Sequence, residues 1–361
     1  MPRRHPTSAL LGLLAALVFA AGCGDGSDSS TSGSETAASR PTPPKSAFPD
    51  AEGRTLGEIV KAADAHAELV VSPAALVFYE GVNRYPFGVF HPDRSQLGDA
   101  EVALYIAKVP KAQPASAGAQ EAGEEGAKGA LARARNEALE QPATGPYPAA
   151  IESLSTQPAY RAQTTTSDPD AATVVYTTNL DFPSEGEWRI AALIKQGDEL
   201  AATLLPSATV GEFKGIPRVG QRAPKIHTPT AADVGGDLAR ITTRIPPDTQ
   251  NKVDYADALG REPIILLFAT PQFCQSRVCG PVVDVAEQVK EQYGDRAAFI
   301  HMEIYNDNDP SKGVTPQVKA FHLPSEPWLF AIDRQGVIRA EIEGAFGVDR
   351  LTDVVREVTG E

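Results

Sequence analysis

The chain has 361 residues, room for two domains of ordinary size, and 42% of it is apolar, enough to bury sizeable cores. Its 47 acidic and 33 basic residues leave a formal charge of −14, which excludes the basic face that binds nucleic acid or anionic headgroups by releasing counterions. Three cysteines are too few for a disulfide-stapled scaffold.

In chain order, residues 1–22 read as a targeting segment. Arg3, Arg4 and His5 make a basic head, and Ala9 to Ala21 is an apolar stretch too short for a comfortable membrane span. The end, Ala20-Ala21-Gly22-Cys23, resembles the lipobox of bacterial lipoproteins, with Ala20 where Leu is commoner. That resemblance implies a cleaved signal peptide and a lipidated Cys23 at the mature N-terminus. An ordinary secretory peptide with a free Cys23 is the plainer alternative. Residues 23–54 begin as Ser, Thr, Gly, Asp and Pro with little to bury, so they are expected to be a disordered tether. The rest is expected to be soluble and held by its lipid at the extracytoplasmic face of the cell membrane, where disulfides are permitted.

Residues 55–212 carry a β signal. Short β-branched and aromatic runs at 69–71, 75–79, 85–90, 101–107, 173–178 and 187–194 are separated by Pro, Gly, Asn and Asp, the pattern of an antiparallel sandwich. The stretch 181–190, DFPSEGEWRI, resembles the hairpin corner of immunoglobulin-like bacterial modules and implies an all-β immunoglobulin-like sandwich. Between 110 and 147 Ala, Gly, Gln, Glu and Pro dominate, which predicts a mobile insertion with one helix-prone patch at 128–139. Tyr79, Asn83, Arg84, Tyr85 and Phe87 form an aromatic and polar cluster that would suit a ligand surface, but aromatic residues in strands serve packing more often than binding.

Residues 213–361 change pattern. Ile264 to Ala269 is a continuous buried-strand run, and Cys279-Gly280-Pro281 opens a stretch with apolar residues at Val282, Val285, Ala286 and Val289, a helical spacing. Strand runs at 298–304, 328–332 and 337–342 follow, and residues 348–358 read as a last helix. Strand, helix, strand, helix, paired strands, helix is a thioredoxin-like order. With the redoxin-like phrase at 217–229, this part resembles the thioredoxin-like superfamily, especially its extracytoplasmic members. The resemblance implies an α/β thioredoxin-like fold, a cis-proline at Pro327 after Glu326, and exchange with protein thiols or disulfides, with no cofactor and no resident metal.

Cys279-Gly280-Pro281 stands where that superfamily places Cys-Gly-Pro-Cys, yet position 282 is Val. Cys274 lies upstream instead, giving Cys-x4-Cys. A cysteine at a helix N-terminus meets the positive end of the helix dipole and unpaired N–H groups, both of which favour thiolate. The expectation is therefore that Cys279 attacks, Cys274 resolves, Arg277 tunes the thiolate, and Glu326 with Pro327 shapes the partner-binding edge. Two other readings stand beside it. One is a non-catalytic binding lipoprotein with an inert cysteine pair. The other is a Sco-like copper site, for which the late His is missing: Ser325 takes its place, His322 is three residues away and His301 lies on a predicted strand. A peroxidase reading fits less well, because Thr270 to Cys274 departs from the peroxiredoxin phrase.

Overall fold

The computed structural model describes residues 38–63, 65–66, 68–111, 123–274 and 277–361, all within one compact unit. Cys23, the signal peptide and the start of the tether lie outside the described residues. Among the described residues no helix is long and apolar enough to cross a membrane.

The described chain does not start as a tether. Arg40 bridges to Ile151, and Phe48 and Ala51 are buried with helix α1 (Leu56–Lys61) against the outer face of a sheet, on Ala103, Tyr105 and Leu193. The Tyr105 hydroxyl donates to the Pro49 carbonyl at 2.6 Å. Thr55 and Glu58 form a reciprocal capping box that starts α1, and Leu56 and Ile59 are fully buried beneath it, each contributing roughly 1.5–3 kcal/mol. The predicted tether thus overruns by at least the segment 38–54. Its few apolar residues find a surface that forms only when the sheet does.

Two sheets pack face to face. Strands β1 (Ala65–His66), β4 (Glu101–Lys108), β5 (Thr144–Pro148), β8 (Gly186–Gln196) and β9 (Glu199–Val210) lie in the order β1-β9-β8-β4-β5. Strands β2 (Val70–Pro73), β3 (Gly81–Phe90), β6 (Ala150–Ser153) and β7 (Val174–Phe182) lie in the order β2-β3-β7-β6. Apart from the short parallel β1–β9 pair, every pairing here is antiparallel. Tyr85, Phe87, Leu104, Tyr176, Phe182 and Trp188 fill the space between the sheets. The expected two-sheet sandwich is present.

The predicted insertion 110–147 needs correction at its C-terminal side. Helix α2 (Gly123–Glu137) runs into a 3-10 turn, Ala134 and Ala138 bury their small faces against Val109, and β5 pairs with β4 from Thr144. The turn into β5 depends on Gly145, at φ +141°, because a Cβ there would lie 2.7 Å from the Tyr105 ring. An Ala-rich run reads as coreless in sequence, yet its flat face suits a close approach.

Short helix α3 (Gln163–Thr166) lies between β6 and β7, and short helix α4 (Tyr255–Ala258) comes before the first strand of the second half. There β10 (Ile264–Phe268), β11 (Ala298–Met302), β12 (Trp328–Ile332) and β13 (Ile338–Glu343) form a sheet in the order β11-β10-β12-β13. β10 pairs parallel with β11 and antiparallel with β12, and β12 pairs antiparallel with β13. The first three strands are buried at every position, as a sheet covered on both faces requires. Helices α5 (Cys279–Tyr293) and α7 (Val348–Thr359) contribute to the core on one face, while α4 and α6 (Pro316–Ala320) contribute to the core on the other. The strand order, with helices on both faces of the sheet, is an α/β layout with one parallel and two antiparallel pairings.

The two halves share their cores. Leu154, Ala172 and Val175 of the sandwich join the α5–α7 cluster, and Val77 joins the opposite one. The Glu343 carboxylate accepts the Leu76 and Val77 amides at 2.8 and 3.0 Å, and Arg84 donates to the Ala345 carbonyl at 2.7 Å. Gly344, at φ +80°, sits where a Cβ would overlap the Ala74 carbonyl.

Candidate functional site

β10 carries the chain to the site. Its all-apolar run can only be a strand covered on both faces, and it ends where Ala269 donates to Met302 and Thr270 is fully buried. Beyond it Cys274 and Cys279 are joined as a disulfide, with Cα atoms 5.9 Å apart, inside the usual span for a disulfide.

Cys279 is the first residue of α5, as the sequence predicts. Pro281 falls in the first turn, where its missing N–H removes no helical bond. Gly280 has a packing role, because a Cβ there would come within 2.9 Å of the Thr165 hydroxyl of α3. Val282, at the position of the absent second cysteine, is wholly buried in the core.

The two sulfurs differ in exposure. Cys279 is 0% exposed, whereas Cys274 is partly exposed, so an incoming thiol meets Cys274 first. The Cys279 amide also donates to Cys274 Sγ at 3.3 Å. The start of the helix thus directs an N–H at the sulfur that loops back over it, a group of the kind that favours thiolate over thiol.

Arg277 is placed beside the pair at φ +61°, but its guanidinium is ion-paired with Asp170 of the sandwich half at 3.1 Å, and its carbonyl accepts from Ala172 at 3.2 Å. Its contact is with Asp170, and its evident role is to tie the cysteine loop to the sandwich half.

Glu326 precedes Pro327 across a cis peptide bond, as the resemblance implies, and β12 starts at the next residue. Its carboxylate and both sulfurs lie within 4.8 Å of one another. Burial, with the nearby Glu303 carboxylate, pushes the Glu326 carboxyl up to about 7. Glu303 ends the β11 segment; its carboxylate accepts from the Thr243 amide at 2.6 Å and hydroxyl at 2.8 Å, and burial raises its pKa as well. An acid held near neutrality beside a disulfide can give or take a proton as the bond breaks or forms.

Cys274, Cys279 and Glu326 are the one three-donor cluster among the described residues, and with the sulfurs bonded to each other it presents no thiolate pair to a metal. The histidines weighed for copper lie elsewhere. His301 is buried, with Nδ1 on Asp248 at 2.8 Å and Nε2 on the Ala269 carbonyl at 3.1 Å. The His322 ring packs on Gly215. Burial works against charge on His301, but the Asp248 carboxylate outweighs it and raises the imidazole to about 9.

The aromatic cluster of β3 is structural. Tyr85 and Phe87 are core, Asn83 exchanges hydrogen bonds with the Tyr79 backbone, Arg84 pairs with Glu152, and Tyr79 lies under Arg218. Sequence reasoning missed Glu303 and Asp248. Glu303 had a signal, an acid directly after an apolar strand run at the end of the sheet that carries the site. Asp248 had none, since its loop has no periodicity.

No protein-family model matches the chain, and no curated protein matches it. Among solved structures, a putative thiol:disulfide interchange protein DsbE from Chlorobium tepidum shares 15% identity, with 40% of this chain and 99% of that one covered and a TM-score of 0.29. A thioredoxin-family thiol:disulfide interchange protein from Chlorobium tepidum TLS shares 18% identity over 40% of this chain and 98% of its own, with a TM-score of 0.28. A DUF4784 family protein from Bacteroides caccae shares 9% identity over 46% of this chain and 28% of its own, with a TM-score of 0.19.

Proposed function

We propose that the protein is a thiol–disulfide oxidoreductase, lipid-anchored through Cys23 at the extracytoplasmic face of the membrane, with an immunoglobulin-like sandwich presenting the redox domain. Its partners are extracytoplasmic protein thiols or disulfides. The observation that carries the reading is the Cys274–Cys279 disulfide at the start of α5, with the Cys279 amide on Cys274 Sγ and Glu326 facing both sulfurs.

In the exchange, a partner thiolate attacks Cys274 Sγ and forms a mixed disulfide. The Cys274–Cys279 bond breaks, and its electron pair leaves on Cys279 Sγ. That sulfur is buried, where a bare thiolate is costly, and the Glu326 carboxylic acid supplies its proton. In the reverse direction Glu326 takes the proton back, Cys279 attacks Cys274 Sγ, and the partner thiolate departs.

The test is the reduction potential of the pair, with its exchange rate toward a dithiol in the native protein. Exchange proteins span roughly −120 to −270 mV, whereas structural disulfides lie below about −300 mV. A potential in the second range, with thiols that react only after denaturation, would overturn the reading.

A further inference from the structure

The disulfide opens beside a groove of about 340 Å³ whose walls come from both halves of the chain. One wall is the sandwich segment 73–76, ending in Leu76. The other includes Ile304, Tyr305, Val318, Leu323 and Glu326. Two contacts join this groove to the cysteines. Glu326 lines it while its carboxylate stays within 4.8 Å of both sulfurs. Tyr305 lines it too, and its ring meets edge-on, at 6.3 Å, the ring of Phe273, the residue before Cys274.

The Leu76 wall is held in place. Its amide and that of Val77 are fixed by Glu343, and Val77 is buried in the core behind them, yet the Leu76 residue is 58% exposed. A leucine held in water on a pinned backbone, opposite other apolar side chains, gains free energy when something apolar lies between them. The volume is at the small end of the roughly 300–1,000 Å³ range of built ligand sites, a size for a short piece of chain.

We propose that this groove receives the residues flanking the reactive cysteine of a partner protein, and that Leu76 selects partners whose cysteine has an apolar neighbour. The sandwich half thereby contributes to specificity. This rests on the exchange activity proposed above, and the exchange chemistry at Cys274 and Cys279 is unchanged by it.

The experiment measures the second-order rate constant with which two cysteine peptides, differing only in the flanking residue, Leu or Ser, open the disulfide of the full-length oxidised protein. The wild-type protein is expected to favour the Leu peptide by about tenfold or more. Leu76→Asp should bring the ratio close to one, and Leu76→Met should keep it. A wild-type ratio near one, or a ratio that Leu76→Asp leaves intact, overturns the inference. A Leu76→Asp protein that reacts faster with both peptides would show that a segment of this chain covers the groove, which also overturns it. Dithiothreitol on the wild-type protein is the separate control: if it fails to open the disulfide in the native state, the exchange reading falls and the groove assignment falls with it.

Discussion

The Cys279 amide donates to Cys274 Sγ at 3.3 Å, so the start of α5 serves the cysteine five residues upstream. With Cys279 itself buried, the two sulfurs differ in exposure as well as in hydrogen bonding.

The cysteines should therefore behave unequally when separated. In Cys279→Ser the remaining Cys274 is expected to trap partners as stable mixed disulfides. In Cys274→Ser the buried Cys279 should label at least tenfold more slowly with a thiol reagent in the native protein. Equal labelling rates for the two variants would contradict this division.

Glu326 sets a pH dependence. Burial and Glu303 raise its carboxyl to about 7, so the acid form that protonates Cys279 is present below that pH. The rate of disulfide opening, expressed per attacking thiolate, should fall as pH rises through about 7. In Glu326→Gln that limb should disappear. The same shift has a stability consequence of definite sign. A carboxyl whose folded pKa lies above its unfolded value binds the extra proton in the folded state, so its contribution weakens as pH rises from about 4.5 to about 7. Urea denaturation across that window, wild type against Glu326→Gln, reads the difference.

The buried His301–Asp248 pair works in the same sense, at the alkaline end. Asp248 raises the imidazole from 6.5 to about 9, so the pair's contribution is fully present below about 6.5 and is lost as pH rises through about 9. Asp248 is held down at about 2 by the same partner, although burial opposes it, so acid removes the contribution only between about 3.8 and 2. His301→Ala leaves the buried carboxylate without its charge partner and should cost about 3–5 kcal/mol by chemical denaturation. The pH dependence above about 6.5 from this pair should vanish with it.

Gly344→Ala tests the junction between the halves. At φ +80°, with a Cβ overlapping the Ala74 carbonyl, the variant must move one half against the other. The expected loss is about 2 kcal/mol or more, with the Leu76 and Val77 amides exchanging hydrogen faster because Glu343 no longer reaches both. Unchanged stability and exchange would show that the halves are less tightly joined.

Local pattern determined much of this protein. The unbroken apolar run at 264–268 could only be a strand covered on both faces, and the spacing of Val282, Val285, Ala286 and Val289 specified which face of α5 is core. The alternation and turn residues before 212 foretold two packed sheets, and the Cys-x4-Cys spacing of Cys274 and Cys279 and the Glu326-Pro327 step before a strand run are visible in the sequence itself. These signals are legible because they depend on neighbours within a few residues.

What only the tertiary structure decided depends on surfaces made by distant segments. Phe48 and Ala51 pack because the outer face of β4 and β8 exists to receive them. The helix start acts on Cys274 and not on Cys279 because the loop folds back over it, and Arg277 finds Asp170 because the sandwich half lies alongside. Burial, with Glu303 brought in from just beyond β11, raises the Glu326 carboxyl toward neutrality. Sequence periodicity reports which face of an element is apolar, but burial and the field at a given atom are sums over the whole fold.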